Sequence, residues 1–285
     1  MESLRLLFGA ISDPSKYYPA LGHETISSKI IAGLHEGESL QVVLGNFGSG
    51  KTTLAMRWLA EIGKKFNTVF LPSKRYANSA SLLRDINDEL GLPPTENITN
   101  IRRQIEDCLL SSYQNNKYTL LMVDGAHSLS ESSLKDLISF TYLTGTKGPA
   151  LSLILLGHEI LFDKITCNKH SIPIKFPFFV EKIPGLEIEE LMDFARHQIR
   201  LAGLDPDYVI DTETLHYAGT LSKGNIGLMT ILIRLSWRFA RINEMNCIDI
   251  ELIESAYNSV CPINSNLNNK FNENESECTP QAISS

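Results

Sequence analysis

The chain has 285 residues, 26 basic against 33 acidic side chains and 43% hydrophobic content, for a formal charge of −7. That is the make-up of a folded protein with room for one full core and a smaller companion, and it excludes wholesale disorder. The acidic total argues against coating nucleic acid by bulk charge and leaves only a local basic patch for that role.

The opening stretch has no basic segment leading into a long apolar run, so no secretory signal is expected. The longest apolar run, 151–157, is too short to span a bilayer. The five cysteines (Cys108, Cys167, Cys247, Cys261, Cys278) are scattered and form no CxxC pair. A disulfide framework or zinc site is therefore not expected, and a reducing, cytoplasmic setting is.

Five runs rich in β-branched and aliphatic residues read as strands: 40–45, 68–72, 118–124, 151–157 and 171–179. The first four are nearly unbroken in apolar character, as strands covered on both faces should be. Helical patterns lie between them at 52–65, 79–91, 98–113 and 132–143, the second stopped by Gly91 and then Pro93 and Pro94. Alternating strands and helices predict a parallel sheet of right-handed βαβ units. After Pro184-Gly185 only helices are expected, over 187–203, 212–219, 225–243 and 249–260. The predicted organisation is an α/β domain over 1–183, a small all-helical domain over 184–261, and a disordered, asparagine-rich tail over 262–285.

The chemistry centres on Gly45-Asn46-Phe47-Gly48-Ser49-Gly50-Lys51-Thr52, which follows the first strand and opens a helix that continues through Thr53. This is the GxxxxGK(S/T) pattern in the context it requires. Its glycines let successive N–H groups surround a phosphate, and the helix dipole adds positive potential there. Lys51 is then expected to bridge the β- and γ-phosphates of ATP and Thr52 to ligate Mg²⁺. The third strand ends in Asp124-Gly125-Ala126-His127. An aspartate there, downstream of a phosphate-binding loop, reads as a second magnesium partner.

These motifs, with the stretch around His158, resemble the AAA+ ATPases of the ExeA/GspA type, part of a broader group with transposition ATPases such as MuB and TnsC. The resemblance implies a P-loop NTPase sheet of order 5-1-4-3-2, helices on both faces, a helical lid and nucleotide at the junction. It implies assembly with copies of itself or with a related AAA+ subunit. It sets Tyr17 and Tyr18 near the adenine and His158 where a polar residue senses the γ-phosphate, against plainer readings of both as packing or capping residues.

The departures from this family matter as much. Gly125 stands where the family carries a water-polarising glutamate, and the lid stretch Gly224-Asn225-Ile226-Gly227 has no arginine where one normally reaches the γ-phosphate. From Ile165 to Phe194 there is no arginine to act as a finger. A positioned base contributes about 10²–10⁴ in rate and a finger about 10³–10⁵. The expectation is therefore ATP binding with weak or lost hydrolysis, with His127, Glu131, Lys169 or Lys175 as poor substitutes. Lys74-Arg75-Tyr76, after the second strand, suits a weak contact with a DNA backbone, although a solvated loop is the plainer reading. Arg234, Arg238 and Arg241 form one stripe whose default is a solvated helix face. Three roles stand open: a nucleotide-switched DNA adaptor of the transposition kind, an ATPase of a secretion or pilus assembly machine, and a subunit whose ATP is structural.

Overall fold

The computed structural model describes residues 17–146, 148–166 and 177–260. Among these the chain forms two compact units, 17–186 and 187–260. Cys167, Cys261, Cys278, Lys169, Lys175, residues 171–176 of the expected fifth strand and the expected tail lie outside the described residues.

The larger unit is a five-stranded parallel sheet. Helix α1 (Leu21–Glu36) leads into β1 (Leu40–Leu44), then α2 (Lys51–Ile62) and β2 (Asn67–Leu71). Helices α3 (Ser79–Glu89) and α4 (Ile98–Gln114) precede β3 (Thr119–Val123), and α5 (Glu131–Phe140) follows it. After a two-residue-per-strand hairpin (Thr144–Gly145 with Gly148–Pro149) come β4 (Leu151–Gly157), α6 (Ile160–Thr166) and β5 (Phe179–Lys182). The order is β2-β3-β4-β1-β5, which is the expected 5-1-4-3-2 read from the other edge.

Strand alternation explains the two-layered burial. Leu40, Val42 and Leu44 of β1 face one core with Leu121, Val123, Leu153 and Leu155, against the apolar stripes of α3, α4, α5 and α6. Val43, Leu120, Met122, Ile154 and Leu156 face the other, against Ile26, Ile30 and Leu34 of α1 and Leu54 and Trp58 of α2. Each such side chain contributes about 1.5–3 kcal/mol on burial. Trp58 is fully buried and its indole N–H donates to Ser27 Oγ at 3.0 Å, tying α2 to α1.

Among the described residues the fifth strand occupies Phe179–Lys182, so it shares only Phe179 with the expected run 171–179, and 177 and 178 before it are not strand. Among the described residues it pairs with β1 alone, as an edge strand, Gln41 opposite Phe179 through Leu44 opposite Lys182. Charged side chains suit an edge strand, and here Glu181 pairs with Lys29 and Lys182 with Glu159.

The smaller unit is helical: α7 (Ile188–Leu201), α8 (Pro206–Val209), α9 (Thr212–Ser222), α10 (Ile226–Ile242) and α11 (250–260). Its core includes Leu191, Ala195, Leu215, Met229, Leu232, Ile253 and Trp237, the last 9% exposed. Helix α8 was not expected; Asp205 caps it, with Pro206 in its first turn. One isolated bridge, Ile210 with Ile248, is the unit's extended pairing among the described residues.

Candidate functional site

The glycine-rich loop leaves β1 at its C-terminal end, where Gly45 N–H donates to Gly157 O at 3.0 Å and so joins the loop to the end of β4. Gly50 has φ +88°, a left-handed conformation that lets the chain turn directly into α2. No side chain caps that helix, so the N–H groups of its first turn remain available for an anion. Lys51 Nζ donates to Gly45 O at 2.7 Å, to Asn46 O at 2.8 Å and to Ser49 Oγ at 3.4 Å. Burial pushes the Lys51 ammonium down to about 8, with the Asp124 carboxylate opposing. Phe47, at the loop tip, is 79% exposed.

The structure brings Thr52 and Asp124 together: Thr52 Oγ1 donates to Asp124 Oδ2 at 2.6 Å. Asp124 is buried, and its Oδ1 accepts the Gly125 N–H at 2.8 Å. A hydroxyl and a carboxylate oxygen side by side suit Mg²⁺, which takes one or two protein oxygens and completes its shell with phosphate and water. Among the described residues no group of three or more His, Cys, Asp or Glu could hold a metal ion without such help.

Gly125 is more than a missing glutamate. Its φ is +65°, and a Cβ there would fall 2.2 Å from Ser73 Oγ and 3.2 Å from the Ser73 Cα. Both backbone conformation and the Ser73 contact make a side chain at this point strained. Two residues on, the His127 ring meets the His158 ring edge to face, centroids 4.5 Å apart. Burial first, then the nearby Lys51 charge, lower both imidazoles, His158 to about 4. Both are therefore neutral near pH 7. His127 Nδ1 is buried without a hydrogen-bond partner. Lys164 Nζ donates to His127 O at 2.5 Å and Leu129 O at 3.0 Å, holding this turn from α6. Glu131, the other substitute considered for the absent base, is exposed in the first turn of α5.

Tyr17 lies against the α1–α2 core with the Arg57 guanidinium 4.3 Å from its ring centroid, so one ring face is already covered. Burial and the Glu24 carboxylate raise its phenol. Glu24 is paired in turn with both terminal nitrogens of Arg57. Tyr18 beside it is half-buried. In the basic cluster, Lys74 pairs with Asp85 at 2.7 Å and lies 5.3 Å from the Tyr76 ring centroid, while Arg75 is exposed. Tyr76 is half-buried and packs on the core. Asn225 caps α10 by accepting from Leu228 N at 2.9 Å, which accounts for the Gly224–Gly227 stretch as a helix start. Arg234, Arg238 and Arg241 are all exposed on α10.

Sequence reasoning missed His23 as part of this constellation. It is 3% exposed in the first turn of α1, with Nε2 2.9 Å from Ser49 O. The contact spans 26 residues, so no local pattern signals it.

A parallel sheet in this order, with a glycine-rich loop after β1 and an aspartate after β3, is the P-loop AAA+ fold, here followed by a helical C-terminal region. Residues 34–165 match the AAA domain family. No curated protein sequence shows significant similarity to the chain. Solved structures do. The Cdc6p of Pyrobaculum aerophilum superposes with a TM-score of 0.69 at 15% identity, over 86% of this chain and 70% of that one. The ORC2 protein of Aeropyrum pernix gives 0.63 at 15% identity, over 87% and 71%. Drosophila ORC, in a structure bound to DNA, gives 0.65 at 14% identity, over 90% and 65%. At such identities the likeness is one of fold. Among the described residues no helix is long and apolar enough to cross a membrane.

Proposed function

We propose that this chain is an ExeA/GspA-like AAA+ protein that binds ATP with Mg²⁺, hydrolyses it slowly or not at all, and acts in the cytoplasm as a nucleotide-dependent switch or assembly subunit. The observation that carries the reading is the meeting of Lys51, Thr52 and Asp124 at the C-terminal ends of β1 and β3, the two strands that flank β4, beside an uncapped helix start. The loop's N–H groups and Lys51 would hold the phosphates, and Thr52 with Asp124 would hold Mg²⁺. Magnesium, when bound, supplies charge neutralisation at the β- and γ-oxygens. The A. pernix ORC2 structure holding ADPNP and ADP supports nucleotide as the ligand class.

Slow turnover is supported by Gly125, which carries no water-polarising side chain and whose left-handed backbone beside Ser73 would strain one. His158 and His127 are the neutral groups closest to a sensing or water-orienting role. Tyr17 and Tyr18 remain the candidates for adenine contact. Calorimetric titration of Mg-ATP tests the reading: tight binding by the native chain and much weaker binding by Lys51→Ala is expected, and equal affinities would sink it.

A second reading is a DNA-associated adaptor. It is favoured by exposed Arg75 beside Lys74, and by the fold shared with ORC proteins solved on DNA. The Lys74–Asp85 pair counts against strong binding, because a phosphate contact by Lys74 would compete with an existing carboxylate. An active ATPase of a secretion or pilus machine is the third, and a turnover of about 1 s⁻¹ or more, dependent on Lys51, would establish it.

A further inference from the structure

We propose that His23 is a positioning residue for the phosphate loop: it anchors the Ser49–Gly50 peptide so that the Gly50 N–H faces the phosphate. The inference rests on the nucleotide-binding reading above and adds a residue from outside the glycine-rich motif to it.

His23 Nε2 lies 2.9 Å from Ser49 O. A carbonyl oxygen only accepts, so Nε2 carries the hydrogen. A trans peptide is planar with its C=O and N–H on opposite sides. Fixing the Ser49 carbonyl toward α1 therefore fixes the Gly50 N–H away from α1. Gly50, at φ +88°, has no side chain to resist rotation of this peptide, so the anchor has to come from elsewhere. The imidazole also packs under the turn, its Nε2 and Cε1 lying 3.5 and 3.6 Å from where a Gly50 Cβ would be.

The anchor itself stands on a rigid support. Next to His23, Glu24 pairs with Arg57 of α2, and one turn further Ser27 accepts from Trp58 of the same helix at 3.0 Å. Helix α1 thus grips both the loop, through His23, and the helix that the loop feeds. A flip of the 49–50 peptide would turn a carbonyl toward the anion and an N–H into the α1 surface, losing one hydrogen bond and adding repulsion at the phosphate.

His23→Gln and His23→Phe in the full chain separate anchoring from packing, since glutamine keeps a donor near the Nε2 position and phenylalanine keeps only the ring volume. Two measurements are made on each: hydrogen–deuterium exchange of peptides covering 45–52 without nucleotide, and calorimetric affinity for Mg-ATP and for inorganic tripolyphosphate. His23→Phe is expected to exchange severalfold faster in the loop and to bind both anions about tenfold more weakly, the size of one lost hydrogen bond. His23→Gln is expected to stay near the native values. Native-like loop exchange in His23→Phe, or loss in His23→Gln equal to that in His23→Phe, overturns the proposal. A mutation-free check is imidazole ¹⁵N NMR of the native chain, where an Nε2 without hydrogen also overturns it. Failure of the native chain to bind either anion would instead remove the nucleotide-binding reading, and loop exchange would still decide whether His23 holds the loop.

Discussion

The loop after β1 and the turn after β3 sit at the same end of the sheet and differ sharply in what they retain. The loop has its glycines, its lysine and an uncapped helix start, with Lys51 satisfied by the loop's own carbonyls. The turn keeps Asp124 but replaces the following side chain with a glycine in a left-handed conformation pressed against Ser73. Holding a phosphate chain and activating water are thus separable demands on one scaffold. The first is met by backbone geometry and one charge, the second by a side chain that this turn lacks and would hold only under strain.

The largest effect that would break this contrast is at Lys51. Lys51→Ala should weaken Mg-ATP binding by about 10- to 100-fold, the range for a lost charge-assisted hydrogen bond. Gly125→Glu comes next. A restored glutamate should not restore turnover, and the variant should lose about 1–3 kcal/mol of stability in urea unfolding from strain at a positive φ and the Ser73 contact. Rapid hydrolysis by a stable Gly125→Glu protein would show that the turn can accommodate a base after all.

Acidity sharpens the same comparison. Nucleotide-free Lys51 is lowered to about 8 by burial, and binding an anion favours its charged form. ATP affinity should therefore fall about tenfold between pH 7 and pH 9 as the ammonium is lost. His158, lowered to about 4, should contribute no pH dependence between pH 5.5 and 7. Calorimetry across pH in matched ionic strength checks both. The smallest effect is expected at Lys74 and Arg75. Any duplex DNA binding should be weak and salt-sensitive, and Lys74→Ala/Arg75→Ala should flatten its salt dependence in an anisotropy titration. No binding at low salt, with or without ATP, would remove the adaptor reading.

What could be read from sequence follows from how local each signal is. The phosphate loop is eight consecutive residues between a strand and a helix, so Gly45 through Thr52 were legible at once. Asp124 was legible because it ends an apolar run, and its approach to Thr52 follows from sheet order. Gly125 was legible only as an absence; the backbone twist and the Ser73 contact are tertiary facts 52 residues apart in sequence. His23 and the Tyr17–Glu24–Arg57 cluster depend on how α1 packs beside α2, which no periodicity encodes. The end of the fifth strand was set too early, at Phe179, because apolar content guided it, whereas this edge strand continues through the charged Glu181 and Lys182. The short helix at Pro206 had an ordinary start signal in Asp205-Pro206 that the longer helical patterns around it obscured.

The chain's two tryptophans fall one in each compact unit, Trp58 fully buried on α2 and Trp237 nearly so on α10. Intrinsic fluorescence is therefore a composite of two independent optical probes. Trp58 lies on the helix that begins with Lys51 and Thr52, so its emission reports on the sheet unit and the helix that follows the phosphate loop. Replacing either indole with phenylalanine leaves a single emitter, and denaturation curves from the two singly labelled chains can be overlaid. Coincident curves would mean the units melt as one cooperative body; separated midpoints would give each its own stability without cutting the chain.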